Sequence, residues 1–169
     1  MGAAASLEIQ EHVLKGKEGK YLTFALSEEE YGVEILKIRE IIGMMDVTTV
    51  PQMPHYVKGV INLRGKVIPV IDLRLRFGLD SKAYDDRTCI IVAEVRSDNT
   101  SVQMGLVVDT VSEVVNIGLE DMEHTPVFGV NVDTHYILGM AKLKGKVKIL
   151  LDIDKVLTET QWQQISKAV

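Results

Sequence analysis

The stretch that decides the fold runs Gly59-Val-Ile-Asn-Leu-Arg-Gly-Lys-Val-Ile-Pro-Val-Ile-Asp-Leu73. Two apolar runs, rich in valine and isoleucine, flank the turn sequence Leu63-Arg-Gly-Lys66. β-Branched side chains favour strands because they pack well on a pleated surface. The glycine of the turn supplies the positive φ that a tight connection often needs. The stretch therefore predicts a β-hairpin.

The hairpin pattern occurs twice in the chain. A shift of 80 positions superposes identical residues: Gly59 on Gly139, Leu63 on Leu143, Gly65 on Gly145, Lys66 on Lys146, Val67 on Val147 and Asp72 on Asp152. Upstream, a shift of 73 positions superposes Gly32 on Gly105 and Glu40 on Glu113. The two copies therefore differ by a net indel of 80 − 73 = 7 residues. Two copies, each too small for a large sheet, predict two small barrels packed side by side.

Both copies end in a strand that is apolar almost throughout, Val67–Ile71 and Val147–Leu151. A half-exposed strand would alternate between apolar and polar residues, whereas a strand that is buried on both faces need not. We therefore expect these two strands at or near the contact between the barrels.

The flanking segments set the predicted domain limits. Residues 1–19 lack a sustained period and are predicted to be a flexible N-terminal segment. Residues 20–158 are predicted to form a single domain of two subdomains, approximately 20–80 and 86–158, and an exchange of strands between them is left open. Residues 159–169 are predicted to form a short C-terminal helix.

Composition excludes several classes of protein. The chain has 169 residues, 46% of them apolar and 25% charged, which is typical of a globular protein. A formal net charge of −5 argues against a nucleic-acid partner, which needs a basic surface. Cys89 is the single cysteine, so an internal disulfide is excluded. No apolar run approaches the roughly 20 residues of a membrane span. We therefore expect a cytoplasmic protein that does not insert into the membrane.

The motifs of catalysis and cofactor binding are missing from the sequence. The four histidines have no spacing typical of a metal site. The glycines match neither a phosphate loop nor a dinucleotide-binding motif, and the serines lie in no nucleophile elbow. The sequence predicts a protein that is not an enzyme and that needs neither a cofactor nor a metal.

Polar residues inside apolar segments are the candidates for function. In one interpretation they are structural: Glu40 pairs with a nearby arginine, and Asn62 caps a turn. In the other, Ile35, Ile38 and Leu63 form an apolar surface, and the charged residues Glu40 and Arg64 lie at its rim. Such a surface suits an amphipathic helix of a partner, because apolar anchors enter the groove and charges set the register.

Two segments carry a family resemblance. They are Tyr31-Gly-Val-Glu-Ile-Leu-Lys-Ile-Arg-Glu-Ile41 and the Asn-Leu-Arg-Gly…Pro-x-x-Asp-Leu pattern within Gly59–Leu73. Together with Val107-Val-Asp-Thr-Val-Ser-Glu-Val114, they strongly resemble the bacterial chemotaxis coupling proteins of the CheW family. The resemblance extends from about Lys20 to Leu157.

The resemblance implies a fold, partners and sites. It implies two five-stranded, Src-homology-3-like barrels, and a scaffold that links the cytoplasmic tips of methyl-accepting chemoreceptors to the regulatory domain of the histidine kinase CheA. Receptor tips would bind in the groove between the barrels, to Ile35, Ile38, Glu40, Asn62, Leu63, Arg64 and, on the second barrel, Val107. The kinase would contact the segment Gly43–Pro51, represented by Gly43, Met44, Val47, Thr49 and Pro51.

Two other readings of the sequence differ from a stand-alone adaptor. The same fold could be a coupling domain excised from a larger chemotaxis protein, fused to a kinase or a receiver. A small-barrel enzyme or ligand-binding domain would need a deep polar pocket, and the sequence contains no polar cluster to line one.

Overall fold

The computed structural model describes residues 16–97, 100–124 and 135–166. They form a mainly β structure whose strands are β1 Gly19–Leu26, β2 Glu29–Glu34, β3 Ile38–Gly43, β4 Val57–Leu63, β5 Lys66–Asp72, β6 Cys89–Ser97, β7 Thr100–Val108, β8 Thr110–Ile117, β9 Met122–Glu123, β10 Ile137–Leu143 and β11 Lys146–Leu151. The helices are α1 Leu73–Arg76 and α2 Glu159–Ser166, with short 3₁₀ turns at Ile35–Lys37, Leu119–Asp121 and Ile153–Lys155. The helix predicted over 159–169 is therefore present to Ser166. Residues 167–169, and residues 1–15 of the predicted flexible segment, lie outside the described residues.

The strands form two sheets. One has the order β8-β1-β2-β11-β10-β9, and the other has the order β3-β6-β7-β5-β4. In the second sheet, the chain that leaves β3 reaches the opposite edge, where Thr48 and Val60 exchange backbone hydrogen bonds of 2.8 and 2.9 Å. In the first sheet, β8 leads through a 3₁₀ turn into β9 at the opposite edge. Each sheet thus closes on itself, and we call them barrel A (β1, β2, β8–β11) and barrel B (β3–β7).

The barrels exchange strands. Barrel A takes β1 and β2 from the first sequence copy and its other strands from the second copy. Barrel B takes β6 and β7 from the second copy and its other strands from the first. The parallel pairs β2 with β11 and β5 with β7 join the exchanged hairpins to their hosts. The proposed boundary between 20–80 and 86–158 therefore does not separate the two sheets, because strand pairing crosses it in both directions.

Two equivalent glycines show how closely the exchanged strands approach. Gly32 on β2 faces Leu150 on β11, and Gly105 on β7 faces Val70 on β5. A methyl group added at Gly32 would lie 3.1 Å from the side chain of Leu150. One added at Gly105 would lie 3.3 Å from the side chain of Val70, and 2.9 Å from that of Ile90 on the adjacent strand β6. The duplication thus preserves the same close contact in both barrels.

The tips of the duplicated hairpins also share one conformation. Arg64 and Gly65 have φ values of 53° and 84°, and Lys144 and Gly145 have 53° and 78°. Positive φ at both central residues is the signature of a type I′ turn, whose twist matches that of the flanking strands. The hairpin predicted from the sequence is confirmed.

The described residues form three apolar clusters. Barrel A encloses a small cluster of Tyr21, Ile117, Met122, Ala141 and Leu150. Barrel B encloses a cluster of Ile61, Ile68, Val70, Ile90, Val92 and Val107. The largest cluster joins both barrels, and it includes Ile71, Leu151 and, from α2, Trp162 and Ile165. The prediction that the strands Val67–Ile71 and Val147–Leu151 lie at the barrel contact is confirmed at their C-terminal ends.

Candidate interaction surfaces

An ion pair closes one end of barrel B. The guanidinium of Arg64, at the β4–β5 turn, donates hydrogen bonds to both carboxylate oxygens of Glu40 on β3. Asn62 Oδ1 accepts a hydrogen bond of 2.9 Å from the Gly65 amide and so caps the same turn. The structural interpretation of these residues is thus observed. The Arg64 side chain is nevertheless 72% exposed, so its outer face is open to a partner.

The apolar residues of the predicted receptor surface are only partly exposed. Ile35 and Ile38 pack against the shared cluster, and Leu63 packs against the cluster of barrel B. Between them, Leu36 is 91% exposed on the 3₁₀ turn that leads from barrel A to barrel B. Residues three apart lie on one face of a 3₁₀ helix, so when Ile35 and Ile38 face inward, Leu36 faces outward. Sequence reasoning missed Leu36, although this spacing was the signal that could have found it.

Val107 requires a correction. It was expected on a binding surface of the second barrel, but only 3% of it is exposed. It belongs to the internal cluster of barrel B, the same barrel that carries Asn62 and Leu63. The side chain of Val107 is therefore not available for direct contact with a partner.

The segment predicted to contact the kinase follows the edge strand β3. Gly43 ends that strand, and Met44 and Val47 pack against the cluster of barrel B. Thr49 and Pro51 are exposed on the chain that crosses to β4. The segment thus combines anchored apolar side chains with exposed residues, at the place where barrel B closes.

The corresponding end of barrel A is a cleft of about 430 Å³. Its lining residues are Glu30, Glu113, Val115, Asn116, Leu143, Lys144, Lys146 and Lys148. Lys148 is only 7% exposed and donates a hydrogen bond to Glu30. This hydrogen bond is the main cause that lowers the pKa of Glu30. Sequence reasoning missed this cleft, although the run Lys142-Leu-Lys-Gly-Lys-Val-Lys148 was its visible signal.

A second, partly buried ion pair lies at the connection between the barrels. Arg74 Nε donates to Asp109 Oδ1 at 2.7 Å, and the Ser27 amide donates to Asp109 Oδ2 at 2.8 Å. Burial alone would raise the pKa of Asp109, but these hydrogen bonds outweigh it and lower the pKa. The pair joins the β1–β2 turn to the crossover from β7 to β8, so it has a structural use.

The described residues contain neither a cluster of metal ligands nor a helix that could span a membrane. In the stretches 16–97, 100–124 and 135–166, no three histidine, cysteine, aspartate or glutamate side chains are grouped as metal ligands would be. No helix in the described part of the chain is both long and apolar enough to cross a membrane.

Two small barrels with exchanged strands, joined by one shared core and exposing mixed apolar and charged surfaces, define a two-barrel scaffold. The chain belongs to the CheW family, because the model of the CheW-like domain matches residues 20–161. It is 39% identical over 142 residues to the chemotaxis protein CheW of Klebsiella aerogenes, covering 84% of this chain and 83% of that protein. It is 34% identical over 148 residues to the chemotaxis protein CheW of Thermotoga maritima, covering 85% and 90%.

A solved structure agrees with the fold. The crystal structure of the scaffolding protein TtCheW from Thermoanaerobacter tengcongensis matches with a TM-score of 0.75 and 33% identity, covering 85% of this chain and 95% of that one. The predicted family and the predicted fold class, mainly β with two barrel subdomains and a short C-terminal helix, are confirmed. One detail differs, since the sheet of barrel A counts six strands with the two-residue β9.

Proposed function

We propose that this chain is a chemotaxis adaptor that couples the cytoplasmic tips of methyl-accepting chemoreceptors to the regulatory domain of the histidine kinase CheA. The observation that carries the proposal is the match to the CheW-like domain over residues 20–161, together with the two-barrel structure. Its place would be the cytoplasm, attached to receptor arrays through these partners. Its work would be binding, without catalysis.

The proposed receptor surface lies where the chain crosses from barrel A to barrel B. Leu36 offers an apolar anchor that is almost fully exposed. Arg64 and Asn62 lie at the exposed β4–β5 turn, and Glu40 holds the guanidinium of Arg64 in place. An apolar anchor and a fixed charge suit an amphipathic receptor helix, since the first supplies affinity and the second supplies register.

The proposed kinase surface is the segment Gly43–Pro51. A regulatory domain with the same fold could pack against the closing edge of barrel B, because Thr49 and Pro51 are exposed there beside the anchored side chains of Met44 and Val47. Separate faces for receptor and kinase would let one chain hold both partners. The coverage of 83% and 90% of two relatives favours the stand-alone adaptor over a domain excised from a larger fusion.

Binary binding tests this proposal. Purified chain would be titrated separately with a CheA regulatory domain and with a receptor cytoplasmic fragment in a calorimeter. The proposal predicts saturable binding to both. Failure to bind either partner would remove the adaptor function, and binding to only one would remove the coupling role.

A further inference from the structure

The β10–β11 hairpin has a charge opposite to that of the whole chain. The chain carries a formal net charge of −5. Residues 137–151, however, contain the lysines 142, 144, 146 and 148 and neither aspartate nor glutamate. A local concentration of one charge sign attracts partners of the other sign and orients them during encounter.

Among the described residues, two of the four lysines have an ion-pair partner. Lys142 lies 3.3 Å from a carboxylate oxygen of Glu123, and Lys148 pairs with Glu30. Lys144 and Lys146 are exposed at the turn, and across the described ranges no carboxylate lies within ion-pair distance of either. Both are therefore free to bind an external anion.

These two lysines line a cleft that also contains two apolar side chains. Val115 and Leu143 line the cleft of about 430 Å³, and both also pack against the cluster of barrel A. Glu113 adds one exposed carboxylate to the lining. Since Lys148 neutralises Glu30, two cations face one uncompensated carboxylate, and the cleft favours an anionic ligand.

We propose that the open end of barrel A binds an acidic segment of a partner protein. A carboxylate of the segment pairs with Lys144 and Lys146, and a neighbouring apolar side chain enters the cleft against Val115 and Leu143. A protein segment fits better than an anionic membrane, because the site is a cleft with two apolar side chains among its lining residues, which a single side chain can enter and a flat layer of phosphates cannot. This surface is distinct from the receptor and kinase surfaces, both of which are formed mainly by barrel B.

The test uses three probes with the full chain. The first is a fluorescein-labelled 12-residue peptide of alternating Glu and Leu, the second is the same peptide with Lys in place of Glu, and the third is a vesicle containing phosphatidylglycerol. The variant Lys144→Gln/Lys146→Gln is compared with Lys66→Gln/Lys82→Gln, which changes the net charge equally outside barrel A. Lys66 is the matched position, since it corresponds to Lys146 in the duplicated hairpin.

The proposal predicts saturable binding of the acidic peptide. In NMR spectra of the chain, amide chemical shifts should change only at the lining residues of the cleft. Binding should weaken about three- to tenfold in Lys144→Gln/Lys146→Gln and stay unchanged in the control variant. Higher salt should weaken it further, because the charges are exposed. The proposal is overturned if the acidic peptide does not bind, if the lysine peptide binds equally well, if both variants lose affinity alike, or if only vesicles bind.

Discussion

The two barrels have nearly the same backbone, but the end of barrel A differs in character from the equivalent end of barrel B. In barrel B, Ile42, Ile68 and Leu63 fill the end, and the Glu40–Arg64 pair lies over them. The equivalent residues of barrel A, at shifts of 73 and 80 positions, are Val115, Lys148, Leu143, Glu113 and Lys144. There, a smaller valine and a lysine replace two isoleucines, and the end is an open cleft. A few side chains thus decide whether a duplicated unit ends in packed core or in a binding surface.

The tips differ in the same sense. Asn62 caps the Gly65 amide in barrel B, whereas the equivalent position holds Lys142, which has no acceptor to offer. Both turns keep the same positive φ values, so the cap is not needed to form the turn. The β4–β5 and β10–β11 turns thus share a backbone conformation, whereas their side chains differ.

The largest expected effect comes from separating Lys148 from Glu30. Glu30→Gln leaves a lysine that is only 7% exposed without its counter-charge, and should lower the free energy of unfolding by about 2 kcal/mol. The double variant Glu30→Gln/Lys148→Ile introduces the residues that barrel B has at the equivalent positions, Gln103 and Ile68. It should restore or exceed the original stability. Urea unfolding measures both. A double variant that is less stable than Glu30→Gln would contradict the view that an apolar residue can replace Lys148 at the end of barrel A.

The close-packed glycines give the next effect. Gly105→Ala should cost about 2 kcal/mol, because the added methyl would lie 2.9 Å from Ile90 and 3.3 Å from Val70, two β-branched core side chains. Gly32→Ala should cost about 1 kcal/mol, because its near contact, at 3.1 Å, is the end of the more flexible Leu150 side chain. The loss of stability in the two variants would be measured by thermal unfolding. Equal losses would contradict the difference in packing.

Arg64 and Lys144 occupy equivalent turn positions and should behave differently with a receptor fragment. Arg64→Ala should weaken receptor binding about five- to tenfold and leave the free energy of unfolding nearly unchanged, since the side chain is 72% exposed. Lys144→Ala, the matched control, should leave receptor binding unchanged. Calorimetric titration of both variants decides. Unfolding of the arginine variant, or normal receptor binding, would place the receptor elsewhere.

The smallest effect is a difference in acid stability. The Lys148 hydrogen bond lowers the pKa of Glu30 in the folded protein. The pair therefore contributes stability above the unfolded pKa of about 4.3, and that contribution is lost as pH falls through the lower folded value. Glu30→Gln/Lys148→Ile should lose less stability than the original chain between about pH 5 and pH 3. Identical acid profiles would show that the pair contributes nothing there.

Local features of this protein could be predicted from sequence, and non-local ones could not. The hairpin at Leu63–Lys66 and the duplication follow from turn chemistry and repeated residues, which are local signals. Which sheet receives β1 and β2 depends on pairing with strands about a hundred residues away, so the sequence left the exchange of strands open. Val107 was misplaced because a strand that is buried on both faces lacks the alternation that reveals which way a residue points.

The ion pairs show the same limit: one pair could be predicted from sequence, and the absence of its equivalent in barrel A could not. The pairing of Glu40 with an arginine could be proposed from their charges and from their nearness to one hairpin. That Glu113 and Lys144, at the equivalent positions, line a cleft without pairing could not be predicted. It depends on how far the end of barrel A opens around Lys148, which is a consequence of three-dimensional packing.

Sedimentation velocity of a three-component mixture tests the central claim most directly. The chain, a CheA regulatory domain and a receptor cytoplasmic fragment would be mixed at concentrations above both binary dissociation constants. Separate faces predict one faster-sedimenting species that contains all three components, and Arg64→Ala should lower the fraction of receptor in it without lowering the fraction of kinase. Two binary complexes that exclude each other would contradict the account, since one chain could not then couple receptor to kinase.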